Sequence, residues 1–228
     1  MGDKTKSRGF VRRVALDRGL NKVKEMVLEL SGIAKEAVRL SIEALKEKSR
    51  EKIEKVYELE KRSDVLNMDI EDECLTLAAL QQPVARDLRF IASMMRISNN
   101  YERICDLAQK IAYIAEKTID KPLLKPLIDV PRMGKLVIEM LEINEESIRT
   151  GDTSMLEMEL KARDDEIDLL YSQTYNELVG YMVRIPHRID DAIDLLFVAK
   201  HLERMGDLVA KSAARLVYIE EGRRVWIK

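Results

Sequence analysis

The sequence predicts an all-α protein built as two tandem three-helix bundles related by internal duplication. Three observations carry this reading. Charged residues make up 35% of the chain and aromatics only 5%, and Glu, Lys, Arg and Asp interleave with Leu, Ile, Ala and Met. That is helix-forming material with little β-branched alternation. Apolar residues step by three and four along long runs. Finally, a short phrase occurs twice about a hundred residues apart, as Glu102-Arg-Ile-Cys-Asp106 and Glu203-Arg-Met-Gly-Asp207, each downstream of a proline, Pro83 or Pro186. A recurring phrase in a recurring helical setting points to duplication.

Residues 1–16 form a basic arm, with Lys4, Lys6, Arg8, Arg12 and Arg13 against Asp3, expected to be frayed and solvated. The first repeat spans residues 17–119. Its first helix runs from about Asp17 to Lys46, on the spacing of Leu20, Val23, Val27, Leu30, Ala34 and Ala37. The second begins near Ser49, carries Ile53, Val56, Val65, Ile70, Leu77 and Leu80, and stops before Pro83 because the residue ahead of proline avoids helical angles. The third takes Pro83 in its first turn, where a missing N–H is harmless, and runs to about Lys117.

Residues 120–131 hold three of the five prolines and read as the connector. The second repeat spans 132–222. A fourth helix, from about Asp129 to Arg149, closes at Gly151. A fifth opens on a Ser154/Glu157 capping box and runs to about Val183. A sixth starts at Pro186 and ends near Gly222, leaving a tail at 223–228 in which Trp226 is expected to pack down. Each half is long enough to bury a core of its own.

Composition excludes several classes. The formal net charge of −2 argues against a nucleic-acid binder. No apolar run reaches the ~20 residues of a membrane span, and the basic N-terminus lacks the apolar stretch of a signal peptide. The two cysteines, Cys74 and Cys105, stand in apolar helical context and read as buried reduced thiols. A cytoplasmic protein is expected. Nucleophile–base motifs, glycine-rich phosphate loops and His-Glu-x-x-His are all missing, so no enzyme activity is expected.

What remains is a pattern of carboxylates. Glu102 and Asp106, and again Glu203 and Asp207, share a helix face at i,i+4. Like charges so placed cost a helix about 0.2–0.5 kcal/mol. The middle helices repeat the spacing with Glu60/Asp64 and Asp164/Asp168, and Asn67, Glu71 and Asn99 extend the first-half stripe. The third-helix pair lies opposite the Ile104, Leu107, Ile111 and Ile114 seam, so it should face outward or into a shallow groove. Four carboxylates per half on neighbouring helices suit a hard divalent or trivalent cation. The plain reading is a solvated face, and only the recurrence argues for more. Arg103 and Arg204 are expected to pair with neighbouring carboxylates, His187 and His201 to be surface or packing residues, and Met94 and Met95 to fill the core.

The stretch from Cys74 to Arg89, followed by Glu102–Asp106, resembles the first-repeat signature of the PhoU phosphate-uptake regulators, and Ala199–Asp207 resembles the second. Cys105 stands where that family usually has Gly. The resemblance implies two three-helix bundles side by side and multinuclear metal clusters, of iron or zinc, on Glu60, Asp64, Glu102, Asp106, Asp164, Asp168, Glu203 and Asp207. It implies a negative regulator of phosphate uptake and phosphate-responsive signalling. Partners would be the ATPase subunit of the phosphate ABC transporter and a sensor histidine kinase, with membrane association only through them. A homo-oligomer, as a dimer, is also expected. Two other readings stand beside it. A di-metal carboxylate bundle, acting as oxidase or metal store, would want Glu-x-x-His motifs, and a metal-free helical scaffold would want neither.

Overall fold

The computed structural model describes residues 3–227, and the side chains of residues 13–227. Six helices follow in order: α1 (Asp3–Glu47), α2 (Arg50–Gln81), α3 (Ala85–Lys117), α4 (Asp129–Thr150), α5 (Leu156–Arg184) and α6 (Ile189–Glu221), with one 3₁₀ turn at Pro186–Arg188. Among the described residues there is no strand. Helices α1–α3 pack mutually as one bundle and α4–α6 as the other.

The bundles meet along two seams, α3 against α6 and α1 against α4. Lys117 pairs with Asp194 at 2.8 Å, Asn100 donates to the Ser212 hydroxyl at 3.0 Å and Arg86 pairs with Glu220 at 2.6 Å, so α3 and α6 run antiparallel. Lys35 pairs with Glu145 at 2.9 Å across the second seam. Gly134 lets α4 approach α1, because a Cβ there would collide with the Ile42 side chain. The halves do not bury separate cores. One apolar cluster runs through both, from Val23, Ile70 and Ile104 to Met140, Leu178 and Leu216.

Local chemistry sets the helix ends. The Ser49 hydroxyl caps α2 by accepting from the Lys52 N–H at 3.4 Å. Gly151 and Gly222 close α4 and α6 in the left-handed region, at φ 76° and 72°, which glycine adopts without steric cost.

Several expectations need correction. Helix α1 already begins at Asp3, so the backbone of the basic arm belongs to a helix; Met1, Gly2 and the side chains of residues 3–12, including Lys4, Lys6, Arg8 and Arg12, lie outside the described residues. Pro83 is not in the first turn of α3. Gln82 turns left-handed, Val84 is extended, and the helix starts at Ala85. The Ser154/Glu157 box does not form: Asp152 accepts from the Ser154 N–H at 2.8 Å, and α5 starts later, at Leu156. The connector ends before Asp129, leaving Pro131 inside the first turn of α4. Val65 and Leu80 are exposed, and so is Trp226, at 86%; Ile227 seats the tail instead.

Candidate metal centre

The eight sequence-predicted ligands fall on four helices: Glu60 and Asp64 on α2, Glu102 and Asp106 on α3, Asp164 and Asp168 on α5, Glu203 and Asp207 on α6. The apolar steps of each helix turn one face into the core, and the acidic positions are left at its margin. In the first bundle the four come close enough to feel one another. Burial raises the Glu102 carboxyl above its ordinary value, and the charges of Asp106, Asp64 and Glu60 add to it, against Arg103. Glu60 is raised likewise, by burial and then by Asp64 and Asp106. Partial desolvation and like neighbouring charges both disfavour the ionised form of a carboxyl.

The second bundle is arranged differently. Asp164 is only 4% exposed and lies against Gly206, where a Cβ would stand 3.5 Å from its Oδ1. Asp168 is exposed. Glu203 pairs with Lys200 at 2.8 Å and Asp207 with Lys211 at 3.5 Å. In the first bundle, among the described residues, one of the four has such a partner, Asp106 with Lys110 at 3.1 Å. The outward placement expected for the acidic pairs therefore holds for three pairs and fails at Asp164. Arg103 and Arg204 are exposed and form no ion pair among the described residues; the neighbouring lysines take that role.

Among the described residues, no group of three or more His, Cys, Asp and Glu side chains is drawn together tightly enough to hold a metal ion as they stand. The donor chemistry fits a hard cation better than the present side-chain positions do. The first-bundle ledge offers oxygen alone, on two packed helices, with a repulsion that a cation would relieve. The second ledge is half neutralised by its lysines.

One neighbouring residue, His201, was not singled out as a site residue by its sequence pattern. His201 lies within reach of the Asp106 charge and stacks on Phe197, with ring centroids 6.3 Å apart; burial and then Lys110 and Arg204 lower its pKa. Asp207 lines one groove with Asn67, Glu71 and Asn99, so the two ledges adjoin at the α3–α6 seam. The antiparallel register of α3 and α6 brings His201 towards Asp106 and Asp207 towards Asn99.

This geometry can be set beside known proteins. The PhoU domain model matches twice, over residues 27–115 and 130–216. The chain belongs to the PhoU family. The two PhoU matches coincide with the two bundles. A phosphate-specific transport system accessory protein PhoU homolog of Archaeoglobus fulgidus is 34% identical over 90% of this chain and 94% of its own. The corresponding PhoU homolog of Aquifex aeolicus is 35% identical over 92% and 95%. Among solved structures, PhoU from Pseudomonas aeruginosa superposes with a TM-score of 0.86 at 25% identity, covering 91% of this chain and 99% of that one. The phosphate transport system regulatory protein PhoU from Streptococcus pneumoniae gives 0.82 at 28%, covering 92% and 99%. The side-by-side bundles are thus the PhoU fold. Among the described residues no helix is long and apolar enough to cross a membrane.

Proposed function

We propose that this chain is an accessory regulator of phosphate-specific transport that works by docking on other proteins rather than by turning over a substrate. The relatives' names support the pathway: they are accessory and regulatory proteins of phosphate transport. One feature of the molecule supports the rest, the placement of Glu60, Asp64, Glu102 and Asp106 on two packed helices, where burial first and the neighbouring charges second raise Glu102 and Glu60. A surface that gathers like charges at a cost to its own fold is suited to taking up cations. Glu60, Asp64, Glu102 and Asp106 would hold iron or zinc in the first bundle, and Asp164, Asp168, Glu203 and Asp207 in the second. A bound cation would supply charge neutralisation, drawing α2 to α3 and α5 to α6, and would change the sign of the face offered to a partner. Glu102 and Glu60 contribute the ligand charge, while Lys110, Lys200 and Lys211 are internal counter-ions that a metal would displace.

Docking would target the ATPase subunit of a phosphate ABC transporter, with a sensor histidine kinase as a second partner, at the cytoplasmic side of the membrane and with the protein as a dimer. Co-purification with the ATPase subunit tests the pathway. Metal content by elemental analysis, compared between the wild-type protein and Asp106→Ala or Asp207→Ala, tests the ledges. We expect loss of metal in both variants, larger for Asp106→Ala. Unchanged stoichiometry removes these residues from the site without touching the docking reading.

A further inference from the structure

Beside the ledges the α3–α6 seam opens into a groove of about 940 Å³, a volume in the range of sites for small organic ligands. Four cations line it, Arg96, Lys211, Arg215 and Arg224, against two carboxylates, Glu71 and Asp207. Lys211 is matched by Asp207 at 3.5 Å. The three arginines form no ion pair among the described residues. They also crowd one another: burial, then the charges of Arg96 and Arg224, push the Arg215 guanidinium below its usual value. A planar guanidinium offers a rigid fork of donors that matches phosphate oxygens two at a time.

The same groove carries flat apolar surface. Arg224 lies over the Tyr218 ring at 5.7 Å. Trp226, on the tail beyond Gly222, lines the groove yet is 86% exposed, while its neighbour Ile227 is buried and anchors the segment. An exposed indole on an anchored segment is a stacking surface for another flat ring. Glu71 and Asp207 bring negative charge into the groove, which suits a short ligand rather than a polymer that must track a continuous positive path.

We propose that this groove binds a nucleotide, with its phosphates on Arg96, Arg215 and Arg224 and its ring against Trp226. The proposal does not require metal on the ledges, although Asp207 belongs to both surfaces. Binding should follow charge, so a triphosphate outranks a monophosphate and added salt weakens it.

Titration calorimetry of the full chain with ATP, AMP and pyrophosphate, at low salt and with EDTA present, is the test; the chelator prevents a metal on the ledges from bridging to phosphate. We expect saturable ATP binding, weaker binding of AMP and pyrophosphate, and a loss of about tenfold or more for Arg96→Ala and Arg215→Ala. Trp226→Ala should weaken ATP about fivefold or more and leave pyrophosphate unchanged. Trp226 is the sole tryptophan, so its emission reports on the wild-type protein even where a variant folds poorly, and ATP should change it saturably. No saturable heat with ATP, or no effect of either arginine substitution in a folded variant, overturns the site. Pyrophosphate binding as tightly as ATP, with Trp226 emission unmoved, overturns the nucleotide assignment.

Discussion

Gly206 on α6 and Ile167 on α5 pack so closely that a Cβ on the glycine would stand 3.0 Å from Ile167 Cδ1. The matching places in the first bundle hold Cys105, within the repeated phrase, and Ser63, just before Asp64. There both Ser63 and Cys105 are fully buried, and the serine hydroxyl works against the rise that burial imposes on the thiol. Volume has been moved across the helix pair: small beside large in one half, two middling side chains in the other. Installing one member alone should fail. Gly206→Cys should cost about 1–3 kcal/mol by overpacking. Combined with Ile167→Ser, whose hydroxyl can bond back along its own helix as Ser63 does to the Glu60 carbonyl at 2.7 Å, the double variant should be more stable than the sum of the singles. A double-mutant cycle in denaturant reads the coupling.

Glu102 and Glu60 are raised by burial first and by their acidic neighbours second. A carboxyl raised in the folded state binds its proton more tightly there than when unfolded. Its contribution to stability is therefore lost as pH rises from the unfolded value of 4.5 through the folded one. In chelator at pH 7, Glu102→Gln should raise the Tm, reflecting at least the about 0.2–0.5 kcal/mol of one like-charged helical pair. The gain should disappear below pH 4.5. A fall in Tm at pH 7 contradicts this account of the ledge.

Cys74 and Cys105 are free and fully buried. Burial, ahead of any neighbouring charge, pushes both thiols up to about 12. At neutral pH neither presents a thiolate. A thiol reagent should label neither in the native protein, and both on unfolding. Fast labelling of either in native buffer would show that its bundle opens locally.

Tyr101 is fully buried on α3, with its hydroxyl near Asn144 and Ser31, yet it has no hydrogen-bond partner of good geometry among the described residues. Tyr101→Phe should be neutral or stabilising, because it removes a polar group whose desolvation is not offset. Tyr101→Ala should cost about 3–5 kcal/mol. Denaturant midpoints separate the two.

The helices, their pairing into repeats and the burial of the thiols follow from apolar spacing and the doubled phrase, which are local signals that survive packing. The missed features all come from partners distant in sequence or from competing local bonds. Asp152 captures the Ser154 N–H and so moves the cap by one residue, to Met155, which makes no side-chain cap. Asp164 is buried because Gly206, on another helix, leaves it room, and a glycine inside a strong helix was the one available hint. The tail beyond Gly222 has no periodicity, so nothing in it told Trp226 from Ile227. The three arginines of the groove lie on α3, α6 and the tail, and only the antiparallel register of the seam makes them neighbours.

The oily interior passes without a break from one repeat to the other. What gene duplication wrote as two copies, folding treats as a single object. A fragment ending in the 118–128 connector would carry the α1 and α3 surfaces that normally meet α4 and α6, bare to water, and the opposite fragment would carry their complements. Neither copy is an ancestor that could be restored by cutting; each has become the other's missing wall.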